Sequence, residues 1–345
     1  MLKILCVGPI WRGSNANGMF DALSRIGHII HVVDENYFIN LSQKSFFAKA
    51  IAKLSRSIQI QEFNNEIHRQ AQLLKPDVVL VYKGAYVKPE TIITLKQKYL
   101  IVNFYPDVSF HTHGGLLLKT LPLYHHIFTT KTFGITDLKN QFGYTQATFI
   151  PHGYDPTLHR PLTVPDNLKA HFNCDASFIG GWSDKKEELV SEIKTLSPHM
   201  VLKIWGGRWH NSTSNNLKES IQHTGIHGDL YVLGINASKI NLGIVHEQVK
   251  GASSGDLITS RTFHIPGSGG FMIHEHNEES VLYFKEDVEA VFYRNKKDLA
   301  EKVKYYLSHD TEREKIRQAG HQRAVSEHSL DKRAQRVVDT LNSII

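Results

Sequence analysis

The chain has 345 residues, 41% of them apolar, with 40 Lys and Arg against 34 Asp and Glu and a net charge of +6. That length suits two domains, and the modest basic excess suits an anionic small ligand or an anionic surface, with no case for nucleic acid. Two distant cysteines, Cys6 and Cys174, exclude a disulfide framework and zinc-finger spacing, and no apolar run reaches the ~18 residues of a spanning helix.

The chain opens with Leu2-Lys-Ile-Leu-Cys-Val7, which reads as a buried strand and lacks the longer apolar run of a signal peptide. The expectation is a cytosolic, reduced protein. Strands are expected at 3–7, 28–33, 77–82, 100–105, 126–129 and 147–150, alternating with helices at 16–26, 44–74, 88–97 and 132–142. Such alternation predicts a doubly wound α/β fold with a parallel sheet. Ligands on such sheets sit at the carboxyl ends of strands, which singles out 8–18, 83–86 and 106–115. Gly13 and Ser14 open the first long helix there. Asp107 ends a strand, and His111 and His113 follow it. They are candidates to face a cleft, or a loop cap with exposed histidines.

The stretch 44–58 carries Phe46, Phe47, Ala50, Ile51, Leu54 and Ile58 on one helical stripe, with Lys49, Lys53 and Arg56 opposite. It reads as a surface helix packed on its own domain, or as a peripheral contact with an anionic membrane face. Around 151–166 four prolines interrupt the pattern and predict an interdomain linker.

The alternation then restarts. Strands are expected at 176–180, 201–205, 240–245, 271–273 and 290–293. Asp184 with Glu187 reads as a capping box, as does Thr311 with Glu314. Helices at 297–307 and 329–343 close the chain. Gly180 and Gly181 follow a strand, where backbone can approach a ligand closely. Lys185 and Lys186 sit in the first turn of a helix, where cations oppose the helix dipole. An anionic ligand would explain them, and so would solvated charges. Lys239 precedes a strand. In Arg261-Thr-Phe-His-Ile-Pro-Gly-Ser-Gly-Gly-Phe271, Thr259 or Ser260 can cap a short helix that Pro266 and Gly267 end. A helix start beside Arg261 is a ready anion site.

Several signatures are missing. No Gly-x-Gly-x-x-Gly follows Val7, and no P-loop occurs. The 21 histidines include His111-Thr-His113 and His274-Glu-His276, but none has a second cluster at metal spacing, so no metal site is expected.

The segment 261–271 resembles the Arg-x-Phe-Glu-Ile-Pro-x-x-Gly-Gly-Phe pattern of CgeB-like, spore-maturation type glycosyltransferases, within the glycogen-synthase-like glycosyltransferases. Ser238-Lys-Ile, Phe178-Ile-Gly, Ile150-Pro-His-Gly-Tyr-Asp and the tail from Tyr305 to His328 extend the resemblance over 150–335. It implies a GT-B-like fold: two Rossmann-like domains facing across a cleft, with a C-terminal helix crossing back to the first. The domains would be 1–155 for the acceptor, 156–328 for the nucleotide-sugar donor, and 329–345 for the crossing helix. It implies metal-independent transfer of a sugar from a nucleoside-diphosphate sugar to a hydroxyl acceptor, with no further cofactor. The donor would meet Gly180, Gly181, Lys185, Lys186, Lys239, Arg261, Thr262, His264, Gly269 and Gly270. Asp107 or His113 would orient or deprotonate the acceptor, with Gly13, Ser14 and His111 on the acceptor side. His264 stands where the family has Glu, and an imidazole lacks a carboxylate's paired acceptors. That departure keeps two alternatives open: a non-catalytic sugar-nucleotide or glycan-binding protein, and a sugar-nucleotide epimerase or hydrolase.

Overall fold

The computed structural model describes residues 1–39 and 46–345, with side chains in the second span from 55 onward. The chain divides into two units. Unit 1 comprises Met1–Pro151, Gln248–Gly255 and Asp331–Ile345, and unit 2 comprises His152–Glu247 and Asp256–Leu330.

Unit 1 is built on six strands: β1 (Lys3–Gly8), β2 (Ile29–Asp34), β3 (Val78–Tyr82), β4 (Leu100–Tyr105), β5 (His126–Thr129) and β6 (Ala147–Phe149). They pair in parallel in the order β2-β1-β3-β4-β5-β6. β3 reads Val-Val-Leu-Val-Tyr and is buried throughout, as expected of a central strand with both faces covered. β2, at the edge, is largely exposed. The helix Phe46–Leu74 contributes Phe63, Ile67 and Ala71 to the core, where they join Leu5, Val79 and Ile101. Each of the larger side chains contributes about 1.5–3 kcal/mol on burial, and Ala71 less.

The helix Leu330–Ile344 buries Ala334, Val337, Val338 and Leu341 along one stripe. From Asp331 onward it belongs to unit 1, where Asp331 accepts from Arg25 at 2.6 Å and Arg336 donates to the Phe149 carbonyl at 3.3 Å.

Unit 2 has five strands: β7 (Cys174–Ile179), β8 (Leu202–Trp205), β9 (Ser238–Gly243), β10 (Met272–Glu275) and β11 (Val291–Tyr293). Their order is β11-β10-β9-β7-β8, again all parallel. In both sheets the first strand in sequence lies between the second and the third. The chain therefore leaves the first strand in opposite directions, and a crevice opens at the carboxyl ends of β1 and β3, and of β7 and β9. The fold is α/β, with two Rossmann-like units of GT-B type.

Some local expectations shift. Ser183, not Asp184, is the N-cap of helix Asp184–Leu196, and His309, not Thr311, precedes helix Asp310–Glu327. The proline-rich stretch is tied into unit 2: Tyr154 N–H donates to the His328 carbonyl at 3.1 Å and its own carbonyl accepts from Leu330 at 2.8 Å. Proline removes donors and blocks helix, yet leaves side chains free to pack. The segment Gln248–Gly255, which sequence order assigns to the second domain, packs on unit 1. Ser109 Oγ donates to the Lys250 carbonyl at 2.7 Å, and Gln141 to that of Gly251 at 3.0 Å. The apolar stripe expected over 44–58 falls largely on side chains outside the described residues. Of its described members, Ile58 is exposed and Arg56 lies 5.7 Å from the Tyr86 ring centroid. Among the described residues, no helix is long and apolar enough to cross a membrane.

Candidate functional site

The crevice of unit 2 gathers several of the expected residues. β7 is followed by Gly180-Gly181, and at Gly180 a side chain has no room: a Cβ there would meet the Phe178 ring at 2.7 Å. Opposite, Gly206 (φ +152°) follows β8, and a Cβ on it would fall 2.0 Å from the Gly180 carbonyl oxygen. Two strand ends thus approach backbone to backbone, which only glycine allows.

Arg261 reaches this point from helix Ser260–Gly267. Its Nη2 donates to the Ile244 carbonyl, just past β9, at 2.8 Å. Its guanidinium lies 5.5 Å from the Phe178 ring centroid, and its Nε has no hydrogen-bond partner. Burial lowers its pKa, against the pull of Tyr231, Asp256 and Tyr293.

Lys186 is the second cation. It is 6% exposed and makes no hydrogen bond or ion pair with any described residue. Burial and nearby Arg261 bring its pKa down to about 8, while Glu247 and Asp256 pull it upward. A lysine buried with no hydrogen bond or ion pair to its ammonium is costly, and Glu247 and Asp256 offset its charge only in part. The N-cap Ser183 makes no capping bond and donates instead to Glu247 at 3.0 Å, which leaves the N–H groups of the first helical turn open.

Glu187 does not close a capping box. Its Oε1 accepts from Thr213 N–H (2.9 Å), Ser214 N–H (2.8 Å) and Ser214 Oγ (2.6 Å), and Oε2 from Trp182 Nε1 (2.6 Å). Burial works to raise its pKa, but these donors outweigh it and bring it to about 2. Glu187 thereby fixes the Gly-Gly-Trp turn to the loop after β8.

His264 is buried, and its ring stacks on His159 at 3.8 Å. It hydrogen-bonds to the backbone of Gly153, while Nε2 has no partner. Burial, with His159, His152 and Arg261, holds its pKa well below the ordinary value, so the ring is neutral. With Nδ1–H engaged, Nε2 presents a lone pair.

Other expected donor residues are placed elsewhere or otherwise engaged. Lys239 stands at the amino end of β9, paired with Asp175 at 2.9 Å, and so lies at the opposite end of the sheet from Arg261. Lys185 pairs with Glu275 at 2.8 Å. Thr262 has its N–H on the Thr259 carbonyl, and its hydroxyl accepts from Thr259 N–H at 3.0 Å and bonds His274 Nε2 at 2.8 Å. Gly269 and Gly270 serve packing: their Cβ atoms would meet Pro161 at 3.0 Å and Ile235 at 2.6 Å.

In unit 1, Asp107 accepts from Lys83 Nζ at 3.0 Å and lies 2.6 Å from His113 Nε2. Burial would raise its pKa, but His113 and Lys83 hold it well below the carboxylate range. Lys83 follows β3 with φ +65°. Glu35, just past β2, is nearly buried, and burial raises its pKa to about 7 against the pull of Lys83. Ser14 is engaged as a cap, accepting from Asn17 N–H and donating to the Pro9 carbonyl, after Gly13 at φ +97°. His111 contacts Gln141 at 2.9 Å, against Gly251. Sequence reading passed over Glu35, Glu247 and Asp256, which carry no motif. Only the strand-end rule pointed near Lys83.

Among the described residues, no cluster of three His, Cys, Asp or Glu side chains is placed to hold a metal ion. Residues 185–339 match the family described as Glycosyl transferase-like. No curated protein matches the chain. The fold is similar to that of sucrose-phosphate synthase from Thermosynechococcus elongatus, with a TM-score of 0.67, 10% identity and 99% of each chain covered. It is similar to HepE of Anabaena in complex with UDP-glucose, with TM-score 0.67, 10% identity and 99% and 100% covered. A glycosyltransferase from Rickettsia africae gives TM-score 0.63, 15% identity and 99% and 98% covered. At these identities the likeness concerns the fold.

Proposed function

We propose that the protein is a glycosyltransferase that moves a sugar from a nucleoside-diphosphate sugar to a hydroxyl acceptor. The observation that carries this reading is Lys186: a buried lysine whose ammonium pairs with no described residue and is close enough to Arg261 to be felt by it, beside an open helix start and a Gly-Gly turn. That set is complementary to a diphosphate, whose charge grows as the sugar departs. The match of residues 185–339 and the fold of HepE, whose structure holds UDP-glucose, support the same ligand class.

In this reading Lys186 and Arg261 offset the leaving diphosphate without a divalent ion. His264 Nε2 accepts from a donor hydroxyl, the part a Glu plays in the family pattern that 261–271 resembles. His113, oriented by Asp107, takes the proton of the acceptor hydroxyl. Asp107 itself is too weak a base for that step, being held low by Lys83 and His113.

Incubation with UDP-, GDP-, ADP- and dTDP-sugars tests the proposal. Release of nucleoside diphosphate, increased by an acceptor and unchanged by EDTA, is expected. Binding without turnover would favour a sugar-nucleotide-binding protein, and absence of binding would remove the donor reading.

A further inference from the structure

The carboxyl ends of the unit 1 strands carry a second constellation that motif reading did not reveal. Three acidic residues stand there: Asp34 and Glu35 after β2 and Asp107 after β4. Asp34 is committed, its Oδ1 accepting from Ile10 N–H at 2.9 Å and Asn36 N–H at 3.0 Å. Asp107 is shared between Lys83 and His113. Glu35 is different. Its side chain is nine-tenths buried and makes no hydrogen bond or ion pair with any described residue. Lys83, from the other side of β1, is the cation that acts on it most strongly. Arg12, exposed in the loop after β1, and Lys131, buried just after β5, are the further cations of these strand ends.

A carboxyl group held in this way is an acceptor waiting for donors. A hydroxyl or ammonium group supplies them, whereas a phosphate meets carboxylates on Glu35, Asp34 and Asp107 with Lys83 already engaged. We infer that the strand-end pocket of unit 1 takes an uncharged or amine-bearing polyhydroxyl acceptor in preference to a phosphorylated one, and that Glu35 contacts it. The inference rests on the transferase reading for the word acceptor. The strand-end residues themselves all belong to unit 1. Because burial raises the Glu35 pKa to about 7, with Asp34 adding to the rise and Lys83 opposing it, affinity for an amine-bearing ligand should increase above that pH as the carboxylate forms.

Calorimetric titration with glucose, glucosamine and glucose 6-phosphate, without donor, tests the pocket directly. Glucose or glucosamine should bind at least tenfold more tightly than glucose 6-phosphate. Glu35→Gln should weaken that binding about tenfold while unfolding at the same or a higher temperature, since it removes a buried charge and no internal bond. Tighter binding of the phosphate, binding of none of the three, or Glu35→Gln with unchanged affinity would each overturn the inference. The same three compounds as acceptors in donor turnover separate the two readings. Sugar binding without donor turnover sinks the transferase reading alone, and turnover that favours the phosphorylated sugar sinks this one alone.

Discussion

Arg261 and Ile244 join helix Ser260–Gly267 to the end of β9 through one bond: Nη2 to the carbonyl oxygen at 2.8 Å. The bond fixes the guanidinium over Phe178 and beside Gly180, at the point where the strand order of unit 2 reverses. A cation so placed has one orientation before any ligand arrives, which is the condition for stabilising charge that develops during reaction.

Arg261→Ala should lower kcat/KM for the donor by roughly 10²–10³-fold. It also removes the Ile244 bond, at a cost of about 1–2 kcal/mol, so melting temperature should fall measurably. Arg261→Lys should recover only part of the activity, because an ammonium cannot hold Ile244 and a phosphate in the same forked geometry. Equal rates for wild type and Arg261→Ala in nucleoside diphosphate release would remove Arg261 from the site.

Lys186 sets opposite demands on stability and binding. Its pKa in the folded protein is about 8, against an ordinary value of 10.5, so between those values the unfolded chain binds more protons. Stability of the ligand-free protein should therefore rise with pH across that window. Affinity for UDP should fall over the same range as the ammonium is lost. Lys186→Met should raise unfolding free energy at pH 7 by about 1–3 kcal/mol and weaken UDP tenfold or more. Denaturant unfolding and UDP titration of the same variant read both effects.

His264→Phe keeps a ring to stack on His159 and deletes the Nε2 lone pair. Loss of one hydrogen bond to a donor hydroxyl predicts about a tenfold rise in donor KM, and loss of the bond to Gly153 predicts a lower melting temperature. A variant that loses stability but keeps donor KM would assign His264 to packing only.

Glu187 joins the turn after β7 to the loop after β8. Its pKa is brought to about 2 from an ordinary 4.5, so its contribution is complete above about pH 4.5 and is lost as pH falls toward 2. Glu187→Ala should cost about 2–4 kcal/mol at pH 7 and flatten the acid limb of the stability curve. Urea unfolding from pH 2.5 to 7 measures it, and an unchanged acid limb would show that another carboxylate governs acid sensitivity.

Much of the scaffold was legible in the sequence. β-Branched runs such as Val-Val-Leu-Val-Tyr in β3 announce central parallel strands, and the period of Leu189, Val190 and Ile193 announces a helix face. Arg261 and Lys186 were legible as well, through a helix start and a cation placed against the helix dipole. Lys185 and Lys186 were not distinguishable in sequence, although a step of about 100° around the helix sends the first to Glu275 and leaves the second without a partner among the described residues.

The sequence by itself determined the alternation of strand and helix, the glycines that bring backbones together, and the amphipathic last helix, because these follow from local sterics and burial periodicity. Tertiary structure alone decided which charges are satisfied. Lys239 is paired at the far end of its strand, Thr262 is spent on Thr259 and His274, and Glu35 is left without a partner among the described residues. Pairing depends on distances between residues tens of positions apart in sequence, and no local pattern encodes those distances.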